Sequence, residues 1–394
     1  MIIKSLLKQI LKKGNLIWIR PNGEEFEFGD KTGNPIRMRT TSGFSEIKMM
    51  MNPSLHFGES YTDGSMILEE GNIHDLLKLI FVNSESDVDH WVMDMTRAIR
   101  AIRNKIVPSN YIAKSKKNIA HHYDLSDGLY ELFLDKDRQY SCAYFNSPND
   151  TLDQAQVNKK ELIAKKLLLE EGQNVLDIGS GWGGMAAYLS KRSNVKVKGV
   201  TLSEEQLTYS KQRKINESLD QVEYQLQDYR NVKESYDRIV SVGMFEHVGT
   251  SHYQEFFNKV YELLNQKGVA LIHTIGRTDQ PTTTDSWIEK YIFPGGYIPA
   301  LSEVMQRVEK SGLTTTDVQV LKFHYAETLK RWRYNFYDNL DKIKEIYDEK
   351  FCRMWDFYLS SSQASFEEST LVIYQLQLSK DKKTVPDSRD YLFI

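Results

Sequence analysis

The hydrophobic and polar positions in the second half of the chain alternate between two periods. Short apolar runs typical of buried strands are separated by segments with the 3.6-residue spacing of amphipathic helices. This alternation predicts an α/β fold with a doubly wound parallel sheet, in which ligands bind at the carboxyl ends of the strands. The predicted strands are 174–179, 196–202, 222–227, 237–243 and 268–276, and an antiparallel pair, 313–323 and 369–379, closes one edge of a seven-stranded sheet. The predicted helices include 152–170, 302–311, 325–345 and 348–361.

A small α+β domain is predicted for residues 1–105. Residues 1–13 place apolar side chains at helical spacing with lysines between them. Such a helix either packs on its own domain or lies on an anionic membrane surface. Strand-like pieces follow over 15–52, then a polar loop over 57–64 and a helix over 73–82.

The second predicted domain spans 106–394, and an insertion at 277–300 interrupts its alternating pattern and is expected to form part of a substrate pocket. A basic stretch lies near the domain boundary, where no acidic residue occurs from Met95 to Tyr123. Its cations are Arg97, Arg100, Arg103, Lys105, Lys114, Lys116 and Lys117. A stripe of this kind faces phospholipid head groups or a negative partner domain, or is simply a solvated linker.

Composition excludes several classes of protein. The formal net charge of -3 argues against a globally basic nucleic-acid-binding protein. Two cysteines, Cys142 and Cys352, provide neither a disulfide framework nor a metal-ligand cluster, which predicts a cytoplasmic protein without a metal site. There is no run of about 18 apolar residues for a membrane span, and lysines interrupt the apolar residues at the N-terminus, so no signal peptide is expected.

The stretch Val175–Met185, VLDIGSGWGGM, has the pattern of a buried strand, a glycine turn and the start of a helix. Gly179, Gly181 and Gly184 satisfy G-x-G-x-x-G, which occurs in both dinucleotide-binding and methyl-donor-binding folds. Asp177 distinguishes the dinucleotide-binding folds from the methyl-donor-binding folds, because a carboxylate at the strand end repels a pyrophosphate but suits the ammonium group of a methionine moiety. The residues therefore favour S-adenosylmethionine over a nicotinamide cofactor.

Seven motifs in the chain carry a resemblance to one family. They are YSCAYF (140–145), VLDIGSGWGG (175–184), GVTLSEEQ (199–206), FEHVG (245–249), LIHTIG (271–276), YIFPGGYIP (291–299) and HYAETL (324–329). In this order, over residues 55–380, the chain resembles the cyclopropane-fatty-acyl-phospholipid synthases, a branch of the class I S-adenosylmethionine-dependent methyltransferases. The resemblance implies the seven-stranded, Rossmann-like methyltransferase sheet as the fold and a lipid as the substrate.

The resemblance also implies a set of cofactor-binding residues. They are Tyr140, Ser141, Asp177, Gly179, Gly181, Gly183, Thr201, Leu202, Gln206, Gln227 and Asp228. In this assignment Asp177 pairs with the ammonium group, Gln206 reaches the ribose hydroxyls and Asp228 accepts from the adenine amine. The end of the second strand is a departure from methyltransferases at large, because Thr201 stands where an acidic residue usually holds the ribose.

The catalytic group implied by the resemblance comprises Cys142, Glu246, His273, Ile275 and Tyr325, which in the family bind bicarbonate or carbonate. An alkene is a weak nucleophile, so the enzyme mainly aligns it with the sulfonium methyl. Methyl transfer leaves a carbocation, and ring closure then requires a weak base that removes a proton from the new methyl group. Aromatic rings stabilise such a cation through their faces, and water must be excluded.

Several of these residues also have ordinary structural interpretations. Cys142 and His273 fit a small core residue and a satisfied structural histidine, and Tyr325 opens a predicted helix. Glu246 fits such an interpretation least, since a buried acid needs a partner. Other family members carry a cysteine in the segment that reads LSSSQASF here, where Ser362 is the counterpart, so an acyl-thiol mechanism is disfavoured.

The expected function is the addition of a methylene across a cis double bond in an acyl chain of a membrane phospholipid. The alternatives are a related lipid methyltransferase that forms a methyl branch, a non-catalytic protein that binds lipid surfaces and, least favoured, an NAD-linked dehydrogenase. The family implies a homodimer that associates peripherally with the inner face of the membrane. Double-bond position and head-group preference do not follow from the sequence.

Overall fold

The computed structural model describes residues 2–84 and 126–393, and two sheets run through them. The first sheet has four strands in the order β2-β1-β3-β4, and the second has seven in the order β10-β11-β9-β8-β5-β6-β7. The strands are β1 Leu16–Ile19, β2 Glu25–Phe28, β3 Ile36–Thr40, β4 Met66–Glu70, β5 Asn174–Ile178, β6 Lys196–Thr201, β7 Val222–Leu226, β8 Tyr236–Val242, β9 Leu264–Arg277, β10 Thr314–Leu321 and β11 Leu371–Ser379.

The seven-stranded sheet confirms the predicted fold class. Strands β5 to β9 pair in parallel, and β11 and β10 add an antiparallel edge, as the sequence pattern predicts. Both faces of the sheet are buried, because β5 directs Leu176 and Ile178 into one apolar cluster and Val175 into another. Burial on both faces is what gives parallel strands their nearly continuous apolar runs.

Fourteen helices lie in the described residues. They are α1 Ile2–Ile10, α2 Glu46–Met51, α3 Pro53–Thr62, α4 Ile73–Ser84, α5 Asp127–Phe133, α6 Leu152–Leu167, α7 Gly184–Ser193, α8 Glu204–Asn216, α9 Tyr253–Leu263, α10 Ser286–Tyr291, α11 Leu301–Ser311, α12 His324–Asp338, α13 Leu340–Ile346 and α14 Glu349–Glu368. The predicted helix over 325–345 is thus two helices, α12 and α13, which meet at Asn339.

The first helix packs on its own part of the chain, which agrees with the first of its two interpretations. Ile3 and Leu11 are buried, and the Lys4 ammonium lies 3.6 Å from the centre of the Phe26 ring. A cation over an aromatic face adds to the apolar contact. Lys4 therefore takes part in the packing of this helix.

The predicted polar loop at 57–64 is wrong, because α3 occupies most of it. Asn52 caps this helix through its side chain, and Pro53 stands in its first turn, where a missing N–H costs nothing. Gly58 makes close packing possible, since a Cβ there would come within 2.5 Å of the Trp287 ring. Tertiary packing thus overrides the weak helix propensity of this segment.

The chain divides into two compact units, each built from separate stretches. Of the described residues, the first unit contains 2–84, 282–294 and 326–370, and the second contains the rest. This grouping differs from the predicted 106–394 domain, because two later stretches belong with the N-terminal sheet. A boundary at residue 105 stays a prediction, since the basic stretch and residues 85–125 lie outside the described residues.

In the described residues, no helix has both the length and the apolar character that a membrane crossing requires.

Candidate active site

The glycine turn after β5 lines a pocket in the second unit. Gly179 and Gly181 have φ values of +82° and +53°, in the left-handed region that glycine enters without strain. The chain then turns into α7, whose first N–H groups have no partners within the helix. Ten of the eleven predicted cofactor residues line this pocket: Tyr140, Ser141, Asp177, Gly179, Gly181, Thr201, Leu202, Gln206, Gln227 and Asp228.

Gly183 is the predicted cofactor residue that does not line the pocket. Its φ is +82°, and a Cβ there would come within 2.6 Å of the Tyr224 hydroxyl. That hydroxyl donates a hydrogen bond of 2.8 Å to the Gly183 carbonyl. The structure therefore gives Gly183 a role in shaping the turn against β7.

Asp177 provides a buried carboxylate at the bottom of the pocket. Its side chain is almost wholly buried, and Oδ2 has no hydrogen-bond partner among the described residues. Burial raises the pKa of Asp177 to about 7, and the charge of Lys159 opposes this rise. An unpartnered buried oxygen is costly unless a ligand supplies a donor, so this atom fits the ammonium group of the methionine moiety.

Lys159 is a fully buried cation that sequence analysis did not select. It lies on α6, and its Nζ donates to Gln139 Oε1 at 2.8 Å and to Ser141 Oγ at 2.9 Å. Both acceptors line the pocket. Burial lowers the pKa of Lys159 to about 8, against the raising effect of nearby carboxylates, first Asp135. A buried ammonium beside Asp177 favours the ionised form of that carboxylate.

The other end of the pocket follows β6 and β7. Thr201 Oγ1 donates to Gln206 Oε1 at 2.9 Å, and both residues line the pocket. Asp228 accepts from Arg230 with both carboxylate oxygens, at 2.9 Å and 2.7 Å. Any donor from an adenine ring therefore shares the Asp228 carboxylate with that guanidinium.

Glu246 lies on a short 3-10 turn after β8, next to β9. The Ile275 N–H donates to Glu246 Oε1 at 2.6 Å, so two of the predicted catalytic residues are in direct contact. Glu246 Oε2 is buried and has no partner among the described residues. Burial raises the pKa of Glu246 to about 7. One carboxylate oxygen is thus held by the sheet, and the Thr274 side chain also acts on this carboxyl, in the direction that lowers its pKa.

His273 lies in the carboxyl-terminal half of β9, where the Gly243 N–H donates to its carbonyl at 2.9 Å. Gly243 lines the pocket, whereas His273 does not, so the link between this histidine and the donor site is the backbone hydrogen bond to Gly243. Burial lowers the pKa of His273 well below its usual value, and the charges of Lys159 and Lys166 add to the effect. Its Nε2 atom has no partner among the described residues.

Cys142 and Tyr325 lie on two separate segments, and neither residue lines the pocket. Both side chains are buried, and Tyr325 is the second residue of α12. The segment after Cys142 contacts the start of that helix, since the Phe145 N–H donates to His324 Nδ1 at 3.1 Å. The Tyr144 and His324 rings stack with their centres 4.6 Å apart. Tertiary packing therefore connects the predicted segments 140–145 and 324–329.

The pocket also has lining residues that the motifs did not single out. They include Arg138, Gln139, Trp182, Tyr229, Arg230, Met244 and His247. Two of them could have been selected from the sequence, because Trp182 lies inside the motif VLDIGSGWGG and His247 inside the motif FEHVG. Gln375 was also missed, although buried glutamines among the apolar residues of strand β11, here Gln375 and Gln377, are a detectable exception.

The seven-stranded sheet, its glycine turn and the buried Asp177 define a class I methyltransferase fold. Over residues 111–376 the sequence matches the profile of the family described as mycolic acid cyclopropane synthetase. The Escherichia coli K12 cyclopropane-fatty-acyl-phospholipid synthase is 36% identical, with 88% of this chain and 87% of that protein covered. The chain therefore belongs to the mycolic acid cyclopropane synthetase family, and it is an S-adenosylmethionine-dependent methyltransferase.

Two further relatives support this membership. A tuberculostearic acid methyltransferase from Mycobacterium tuberculosis is 34% identical over 82% of this chain and 78% of its own length. The crystal structure of the mycolic acid cyclopropane synthase CmaA1 in complex with SAH and CTAB is 33% identical, with a TM-score of 0.64. That alignment covers 67% of this chain and 97% of the solved one. The family thus transfers methylene or methyl groups to lipids.

Proposed function

We propose that this enzyme transfers a methylene from S-adenosylmethionine to the cis double bond of an acyl chain in a membrane phospholipid, which gives a cyclopropane ring. One observation carries the proposal. Glu246 Oε2 and His273 Nε2 are buried polar atoms without partners among the described residues; neither residue lines the donor pocket, but Glu246 lies between the lining residues Met244 and His247 in the chain, and the His273 carbonyl accepts from the lining residue Gly243. A site that only bound a lipid surface would have no use for two such atoms, which cost free energy when left unpaired.

The chain's own residues hold and orient the donor. When bound, S-adenosylmethionine supplies an electrophilic methyl group on sulfur. Asp177 would accept from the ammonium group, and the glycine turn lets the backbone approach the methionine part. Gln206 and Asp228 would hold the ribose and adenine ends. This alignment supplies most of the catalysis, because the alkene needs no activation before it attacks.

Bicarbonate is the proposed base, and it supplies an oxygen that accepts the proton lost from the new methyl group. The residues proposed to hold it are Cys142, Glu246, His273, Ile275 and Tyr325. Glu246 Oε2 would accept from the hydroxyl of the anion, and His273 and Tyr325 would donate to its oxygens. The Ile275 N–H already donates to Glu246 Oε1, so in this arrangement it acts by orienting the carboxylate.

The proposed substrate implies contact with a membrane. The name of the Escherichia coli relative supports a phospholipid, and the first unit offers apolar side chains to a surface: Ile47 and Met51 on α2 are 74% and 73% exposed. Large exposed apolar groups next to each other are typical of membrane or protein contacts. Peripheral association with the inner face of the membrane, a cytoplasmic location and a homodimer belong to the same proposal.

A methyl branch instead of a ring is the second candidate product. The relative named tuberculostearic acid methyltransferase favours it. Both products require the same donor pocket, and they differ in the carbon from which the cation loses its proton. The position of the base at Glu246 and His273 therefore decides the outcome.

Lipid analysis of cells that express the chain tests the proposal directly. Phospholipids that carry a monounsaturated chain are expected to gain the mass of one CH₂, with no olefinic protons left in the product. A product with a methyl branch has the same added mass but different fragmentation, and it would select the second candidate. An unchanged lipid profile with folded, donor-binding protein would contradict both.

The affinity for S-adenosylmethionine is expected to fall as the pH drops below about 7, because protonated Asp177 cannot pair with an ammonium group. The fall approaches tenfold per pH unit. In Lys159→Met the loss of the cation raises the pKa of Asp177 further, so the same fall should begin at higher pH. Calorimetric titrations between about pH 5.5 and pH 7.5 measure this shift. Lys165→Met, on the same helix, is the matched control. Identical pH curves for Lys159→Met and wild type would contradict the assigned coupling.

A further inference from the structure

His273 has a direct neighbour on the adjacent antiparallel strand. In the pairing of β9 with β11, His273 stands opposite Gln375, so both side chains lie on the same face of the sheet. Both residues are buried, His273 at 2% exposure and Gln375 at 0%. The Gln375 Nε2 atom lies 3.2 Å from His273 Nδ1, within hydrogen-bond distance. This contact joins the proposed base site to the antiparallel edge of the sheet.

The His273 ring is neutral in this environment. Burial is the main cause of its lowered pKa, and the two lysines that add to it, Lys159 and Lys166, both lie on α6. A neutral imidazole carries a single N–H, and its other nitrogen accepts. The chemistry at Nε2 therefore depends on which nitrogen holds the proton, and the partner of Nδ1 determines that.

We propose that Gln375 is a positioning residue that keeps the ring proton of His273 on Nε2. An amide NH₂ group can only donate, so Nδ1 must be the acceptor in this contact. The opposite amide orientation would leave the whole NH₂ group buried without an acceptor, because the Gln375 oxygen has no partner among the described residues. Nε2–H then serves as the donor to the anion. This last role rests on the proposed function, but the tautomer itself does not.

If its tautomer were not fixed, the neutral His273 ring would be unprotonated at Nε2 for part of the time. In that form the ring cannot donate to a bicarbonate oxygen, and it competes with Glu246 for the hydroxyl of the anion. At metal-binding histidines, removal of the partner that orients the ring typically costs about 10-fold to 100-fold in affinity or activity, and we expect a loss of that order at His273. Gln375 therefore sets the donor pattern of the site without touching the substrate.

Nitrogen-15 NMR of the ring atoms of labelled histidine reads the tautomer without any ligand. The His273 signals are identified by their loss in His273→Asn. Wild type is expected to show protonated Nε2 and unprotonated Nδ1. In Gln375→Glu the carboxylate accepts from Nδ1–H, so the proton should move to Nδ1 or the ring should become charged. In Gln375→Met, which loses the donor, a mixture of tautomers is expected.

Gln377→Met is the matched control, since Gln377 is equally buried two residues further along β11 and donates to the Lys166 carbonyl instead. It should leave the His273 signals unchanged. Ring formation should fall by about 10-fold to 100-fold in Gln375→Met with unchanged donor affinity. An Nδ1–H tautomer in wild type, or a single Nε2–H tautomer that persists in Gln375→Met and Gln375→Glu, would overturn the inference. A tautomer shift in an enzyme that makes no ring would instead refute the proposed function alone.

Discussion

Exchange of Glu246 for glutamine is expected to lower the rate of ring formation by about 10²–10⁴-fold, the usual contribution of general-base catalysis. Glutamine keeps an oxygen that can accept the Ile275 N–H, so the turn and β9 stay joined. It replaces the other carboxylate oxygen with a donor, which cannot accept the hydroxyl of bicarbonate. Initial rates on vesicles that contain unsaturated phospholipid measure the loss, and calorimetric titration should show normal donor affinity.

Further variants distinguish the residues proposed to hold the base from residues that have no role in the reaction. His273→Ala should lose a similar part of the activity, and Cys142→Ser should lose less, because its side chain need only border the anion. Ser362→Ala and Cys352→Ala should be nearly silent. Degassed buffer without bicarbonate should slow wild type. Full activity in Glu246→Gln, or complete loss in Cys352→Ala with folding and donor binding preserved, would show that the catalytic group has been misassigned.

Replacement of Asp177 by asparagine is expected to weaken S-adenosylmethionine binding by about 30-fold or more, because truncating one side of a buried charge pair typically costs at least 2 kcal/mol. The substitution changes shape very little and removes a carboxylate that is costly to bury in the ligand-free protein. The free energy of unfolding should therefore stay near that of wild type. Calorimetric titration measures the binding, and circular dichroism with thermal unfolding checks the fold.

Two comparisons make the Asp177 result specific. Glu223→Gln removes a carboxylate from an exposed position on β7 and should bind the donor normally. Gly181→Val should also weaken binding, because its φ of +53° strains a branched residue at the pocket wall, although no atom lies within 4 Å of the added Cβ. Near-normal affinity in both Asp177→Asn and Gly181→Val would remove the cofactor assignment.

The strands of the large sheet could be predicted because each one is a short apolar run bounded by turn residues. The bounds of β5, β6 and β7 differ from the prediction by a single residue at their ends. Their burial on both faces makes the pattern strong, since every position has to be apolar or paired. The segment that became α3 lacked such a pattern. Its helix depends on the Asn52 cap and on contacts with Trp287, more than two hundred residues away in the chain.

The candidate site divides in the same way. The residues of the glycine turn and Asp177 could be identified from the sequence, because local backbone geometry and ligand chemistry restrict which residue types occupy these adjacent positions. No local sequence pattern predicts the contact of Lys159 with Ser141 or that of Gln375 with His273. The second of these joins residues 102 positions apart through the register of two strands.

The sequence by itself determined the fold class, the donor turn and the family, because periodicity and motifs are properties of neighbouring residues. Tertiary structure alone decided which polar atoms remain unpaired after folding. Asp177 Oδ2, Glu246 Oε2 and His273 Nε2 are among the buried polar atoms that have no partner in the described residues. Burial then moves the pKa values of these groups away from their usual range. Desolvation depends on the packing of distant segments, so no local pattern encodes it.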